Sequence, residues 1–187
     1  MGDMPVNPCV YTIGHSSRSA AELIQLLKAE QVDLVVDVRR FPRSRRHPQF
    51  NIETLPAILA AEKIGYRHLE ALGGRRRRSL AADASPNAGW REESFRNYAD
   101  YAMTEAFRNG LDAVVAMAAH QTPAIMCAEA LWWQCHRRII SDYLLVRGLP
   151  VMHILGPRAT KPATLTPGAE PRADGVVHYP PAQPRLA

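Results

Sequence analysis

Short apolar runs alternate along this chain with helical periodicity, and that alternation constrains the fold more than any other feature. Val32 to Val38 is the clearest run; it is continuous enough to be a strand buried on both faces. Cys9 to Ile13, Pro123 to Cys127 and Val151 to Leu155 read as further strands, and Tyr66 to Leu69 as a short one. Helical patterns lie between them. Ser19 and Glu22 have the spacing of a capping box, and Leu23, Leu26 and Leu27 then mark one apolar face of a helix ending near Glu30. Asn51 is placed to cap a helix over 52–63, with Pro56 in its first turns. Further helices are expected at 92–103, at 105–119 and at Glu129 to Val146, the last terminated by Gly148. The pattern predicts an α/β domain over residues 8–155, with a mainly parallel sheet flanked by helices in a Rossmann-like three-layer arrangement. From Gly156 onward seven of 32 residues are Pro, which argues for an extended tail, laid back on the domain through 176–179.

With 187 residues the chain is long enough for one domain with a proper core. No apolar run approaches the roughly 18 residues of a membrane span. Met1 to Pro8 lacks the basic and apolar regions of a signal peptide, and three cysteines make no disulfide scaffold. A cytoplasmic protein without a membrane partner is expected. The net charge of +5 is uneven: residues 39–91 hold eleven Arg and one Lys against four acids. Arg forks bind phosphates and carboxylates, so an anionic small molecule or a nucleic acid is the expected partner. Homo-oligomerisation is left open.

In open sheets of this type ligands bind beyond the carboxyl ends of the strands. Gly14-His15-Ser16 follows the first strand; Asp37, Arg39 and Arg40 end the second, with Pro42 and Ser44 after them. Cys127 and Glu129 follow the Pro123 strand, and His153 lies in the last. If those strands run parallel, these groups converge on one edge.

The densest chemistry is at residues 126–138, where two thiols, a carboxylate, an imidazole and two guanidiniums occupy a strand-to-helix junction. A thiol at such a junction ionises more readily, so Cys127 is a candidate nucleophile. Glu129 and His136, on one face of the expected helix and about 10 Å apart, are acid–base candidates together with His15. Arg39, Ser16, Ser44 and Arg137 are candidate substrate-binding residues. Arg39 has a second reading, as the partner of a buried Asp37. Cys135 falls on the core-facing side of the same helix. Adjacent Cys135 and His136 on a helix would point about 100° apart, which argues against a shared metal ion. No dinucleotide fingerprint is present, and no cofactor is expected.

The chain also resembles a bacterial family, the domain of unknown function numbered 488. The resemblance rests on Thr12-Ile13-Gly14-His15-Ser16, on Asp37-Val38-Arg39 with Pro42, Ser44 and Phe50, and on Leu72-Gly73-Gly74-Arg75-Arg76. Asn87-Ala88-Gly89-Trp90-Arg91, Phe95 to Tyr101, Met126-Cys127-Ala128-Glu129 and Cys135-His136-Arg137 continue it, and Leu165-Thr166-Pro167 and Tyr179-Pro180 extend it into the tail. It implies a recurring Cys…Cys-His-Arg element and no established activity. Leu131-Trp132-Trp133 stands where the family has Val-Pro-Trp, and Ala163 where it often has His.

These readings lead to a hydrolase or transferase acting on an anionic substrate, such as a nucleotide or nucleic acid, at the strand ends. An alternative is a non-enzymatic nucleic-acid or nucleotide-binding module driven by residues 39–91. A third is a redox or metal sensor, which requires the sulfurs of Cys127 and Cys135 to be close.

Overall fold

The computed structural model describes residues 8–78 and 84–182. The expected absence of a signal peptide and part of the 70–91 loop fall on residues outside that range. The elements run β1 (Val10–Gly14), α1 (Ala20–Ala29), β2 (Leu34–Asp37), α2 (Leu55–Ala61), β3 (Gly65–His68), α3 (Glu93–Ala102), α4 (Glu105–Ala118), β4 (Pro123–Cys127), α5 (Arg137–Val146), β5 (Val151–Gly156) and β6 (Ala159–Pro162). Two short strands, β7 (Glu170–Pro171) and β8 (Val177–His178), pair in the tail.

One sheet has the order β3-β2-β4-β1-β5-β6. All its pairings are parallel except that of β6, an antiparallel edge strand that the sequence reading missed. Helices cover both faces. Leu23, Leu27, Leu55 and Leu59 of α1 and α2 pack on Ile13, Val35, Ala124 and Met126. Phe107, Leu111, Ile139 and Leu144 of α4 and α5 pack on Val36, Ile125 and Val151 across the sheet. Successive strand residues therefore feed opposite layers, as the period of two requires, and Cys127 falls on the α3–α5 side. The connection from β1 leads to α1 on one face, whereas that from β4 leads to α5 on the other. The neighbouring ends of β1, β2 and β4 thus form a topological switch point.

Local chemistry explains the boundaries. The capping box at Ser19 is formed: Glu22 N donates to Ser19 Oγ, and Ser19 N donates to Glu22 Oε2. Asn51 does not cap α2. Its Oδ1 accepts from Ser44 N at 2.6 Å and pins the preceding loop, so the helix starts three residues later, after Thr54.

The largest departure follows β4. No helix begins at Glu129; residues 128–136 form a loop with one 3-10 turn at Trp132–Gln134, and α5 starts at Arg137. That loop is held by side chains from elsewhere. The guanidinium of Arg137, 1% exposed, donates from Nη2 to the Glu129 carbonyl at 2.5 Å. Trp132 stacks on His153 with centroids 4.2 Å apart.

Candidate functional site

A cavity of about 470 Å³ opens at the switch point. Its floor and walls come from the ends of β1, β2 and β4, from the start of α5 and from α3.

Beneath its floor lies a buried ion pair. Arg39 Nε donates to Asp37 Oδ1 at 2.9 Å and Nη2 to Oδ2 at 2.5 Å, while Nη2 also donates to the Phe50 carbonyl at 2.6 Å. Tyr66 Oη donates to the same carboxylate at 2.7 Å. A buried charge needs such partners, so Arg39 acts chiefly as a strut, although it touches the cavity. His15 belongs to the same strut. Its Nδ1 donates to the Ser16 carbonyl at 2.9 Å, its Nε2 faces Arg39 Nη1 at 3.2 Å, and its ring stacks on Phe50 at 4.3 Å. Burial above all, with the Arg39 charge adding, pulls its pKa down from 6.5 to about 4. His15 thus lines the cavity with its ring held by the Ser16 carbonyl, Arg39 and Phe50, an arrangement suited to positioning Arg39.

The reactive floor is Cys127, Cys135 and His136. Their ligating atoms all lie within 4.8 Å of one another. His136 Nδ1 is 3.6 Å from Cys135 Sγ and 3.9 Å from Cys127 Sγ, and Nε2 donates to the Val38 carbonyl at 3.0 Å. Both thiols are buried. Cys135 is buried among the core residues, as expected, but its sulfur also lies beside Cys127 and His136, so the argument against a shared ion is corrected. That argument assumed a continuous helix from Glu129, and the loop in its place brings Cys135 and His136 together with Cys127. Cys135 is the acidic thiol of the pair. Burial alone would raise it, but the Cys127 thiol donating to it, the adjacent His136 and Arg137 hold it well below the ordinary value. Cys127 is pushed well above that value, first by its bond to Cys135 and then by burial. Both thiols line the cavity, so either is a candidate nucleophile.

The remaining expected residues divide. Glu129 is exposed on the cavity wall, and Ser44 also lines it, its Oγ accepting from His47 N at 3.2 Å. Ser16 and Arg137 do not line it. Ser16 adopts a left-handed backbone (φ 49°) and donates its N–H to the Ala128 carbonyl. Arg137 lies below the floor, with Nε 3.4 Å from Cys135 Sγ. Neither is placed to grip a substrate; both hold the 128–136 loop. Arg40, expected at this strand edge, reaches the cavity, as do Phe41, Arg75 and Tyr98, which the sequence did not single out for the site. Besides the basic segment itself, a signal for the Arg75 wall is the Gly73-Gly74 pair before it. A Cβ on Gly74 would sit 2.8 Å from His136 Nδ1, so only glycine lets this loop close over the imidazole. Arg76 instead stacks on Tyr101 at 3.7 Å and donates to the carbonyls of Glu70 and Gly73, so its charge is engaged within the fold.

No curated protein and no solved structure matches the chain. No helix among the described residues is long and apolar enough to cross a membrane. The family model described as a domain of unknown function, DUF488, matches residues 19–144, a span that holds β2 to β4, the Cys127–Cys135–His136 cluster and the arginine wall. With well over half of its length matched in this way, the chain belongs to the DUF488 family.

Proposed function

We propose that the chain is an enzyme, a hydrolase or transferase, that acts on an anionic substrate in this cavity. One observation carries the reading: two thiols and an imidazole line the same cavity as Arg39, Arg40, Arg43 and Arg75, at the sheet edge where α/β folds bind ligands. Arg40 is the first anion ligand. Its Nε–H is buried without a partner among the described residues, and such a donor on a cavity wall is satisfied by a bound oxyanion. Arg75 stands beside it, its carbonyl accepting from Arg40 Nη1 at 3.0 Å. Arg43 contributes less, because Glu53 already pairs with it at 2.5 Å. Ser44 offers a hydroxyl, and Glu129 an exposed carboxylate for proton transfer. A thiolate such as Cys135 serves as nucleophile or as metal ligand, and hydrolysis or transfer is open to both uses.

The test is a turnover screen over nucleotides, phosphodiesters and small phosphate and carboxylate esters. Cys135→Ser should remove activity by at least about a hundredfold, and Arg40→Ala should raise KM about tenfold or more, as loss of a charge-assisted hydrogen bond requires. Turnover that survives both substitutions unchanged would sink the reading.

A second reading, a nucleic-acid-binding module, draws on Phe41. This side chain is 65% exposed at the cavity mouth with the Arg40 guanidinium 5.6 Å from its ring, an arrangement suited to stacking an unpaired base. It predicts single-strand binding that weakens steeply with salt and loses about 1–3 kcal/mol in Phe41→Ala.

A further inference from the structure

We infer that Cys127, Cys135 and His136 together form a three-ligand site for a zinc-class divalent cation, with the fourth coordination position open to the cavity. The inference deepens the proposed enzymatic reading and rests on it for its use, though not for its geometry.

The distances fit first. A tetrahedral zinc ion with Zn–S about 2.3 Å and Zn–N about 2.0–2.1 Å sets its nitrogen and sulfur ligands about 3.6 Å apart. The observed separations of His136 Nδ1 from the two sulfurs are 3.6 and 3.9 Å, and the three ligating atoms lie within 4.8 Å of one another, so an ion is accommodated once the two sulfurs draw together by up to about 1 Å.

Ring orientation agrees. Metal-bound imidazoles usually donate their second N–H to a carbonyl or carboxylate. His136 does this through Nε2 to Val38, and Val38 lies in the strand-end segment that also carries Arg39. The loop that brings the ligands together is fixed independently of any ion. Arg137 ties its carbonyls, Trp132 stacks on His153, and Gly14 lets Glu129 approach, since a Cβ there would lie 1.8 Å from the Glu129 carbonyl oxygen.

Charge is consistent as well. Two thiolates and a neutral imidazole balance a divalent ion, which lowers the cost of burying it. Binding exchanges the remaining thiol protons for the ion and releases them to solvent.

Three protein ligands leave one position, and all three residues line the cavity together with Arg40 and Arg75. Water bound there and giving its proton to solvent is hydroxide at neutral pH. Its oxygen would bond to the electrophilic centre of the arginine-held anion, and the leaving group would depart with its electron pair and take a proton from solvent. This selects hydrolysis over thiol-based transfer.

The experiment uses the full-length protein. Zinc content after purification and dialysis is measured by elemental analysis and native mass spectrometry, and affinity by competition against a chromophoric chelator. One zinc per chain is expected, with affinity reduced at least about a hundredfold in Cys135→Ser and in His136→Ala, and unchanged in Cys9→Ser. Co2+ titrated into the unmodified protein should give the absorption of four-coordinate cobalt with thiolate ligands, which keeps the test valid if a variant misfolds. Failure of the unmodified protein to hold zinc or cobalt against the chelator overturns the site, as does a Cys127–Cys135 disulfide in protein purified under reducing conditions. Turnover by metal-free protein would overturn the metal while leaving the enzyme. A tightly held zinc with no turnover of any anionic substrate would keep the site and overturn the enzyme.

Discussion

His136 Nε2 donates to the carbonyl of Val38 at 3.0 Å, and this one bond turns Nδ1 toward the sulfurs of Cys127 and Cys135. It ties the end of β2 to the start of α5 and links the arginine-bearing loop to the thiol floor. Substitutions beneath the floor should therefore disturb chemistry and stability together, and those in the tail should disturb stability alone.

Arg39→Met leaves the fully buried Asp37 carboxylate without its counter-charge. We expect a loss of about 3–5 kcal/mol of unfolding free energy in urea titrations. The double variant Asp37→Asn with Arg39→Met should recover part of it, because no charge then remains buried. A double variant as unstable as the sum of the singles would refute the strut role.

Gly14→Ala places a methyl group 1.8 Å from the Glu129 carbonyl oxygen, closer than any relaxation of a flexible side chain can cure, because the neighbour is backbone. The 128–136 loop must move. Destabilisation of about 1–3 kcal/mol is expected, with loss of metal affinity as the more sensitive readout. Unchanged melting and unchanged zinc binding would show that the approach of loop to strand is not needed.

His15 and His153 are both pulled from 6.5 to about 4, burial being the chief cause. Their folded pKa values lie below the unfolded ones, so the unfolded chain takes up protons first as the pH falls. The stability they contribute is complete above about pH 6.5 and drains away toward about pH 4, by roughly 3 kcal/mol per histidine at most. Urea midpoints measured from pH 7.5 to 4.5 should fall, and fall less steeply in His153→Gln than in the unmodified protein. Parallel slopes would rule out His153 as a contributor.

Tyr179→Phe removes the hydroxyl that donates to Asp142 Oδ2 at 2.8 Å and leaves that buried carboxylate with the Thr166 N–H at 2.9 Å. Loss of a hydrogen bond to a charged group costs about 1.5–3 kcal/mol, so the melting temperature should drop while KM and kcat stay unchanged. A change in kinetics without a change in stability would show that the tail reaches the site, contrary to its place in the structure.

Much of the frame was legible in the residues themselves. The Ser19 and Glu22 capping box closes within four residues, β4 spans Pro123–Cys127 as its apolar run foretold, and Gly148 with φ 78° ends α5. Each depends on contacts local in sequence or on a period that the chain carries openly. The convergence of His15, Arg39, Cys127 and Glu129 on one edge was legible too, because parallel strands place their following loops together.

The chain by itself thus determined the α/β alternation, most strand positions and the edge on which a site would lie. The tertiary structure alone decided how those groups are arranged around the cavity. Residues 129–146 carry helical periodicity, yet the first part of that stretch is bent into a loop by the buried Arg137 guanidinium eight residues on, by the stack of Trp132 on His153 and by the close approach to Gly14. Such contacts outweigh a weak local preference for helix. They convert two cysteines and a histidine, spread along what reads as one helix, into three ligands around one point.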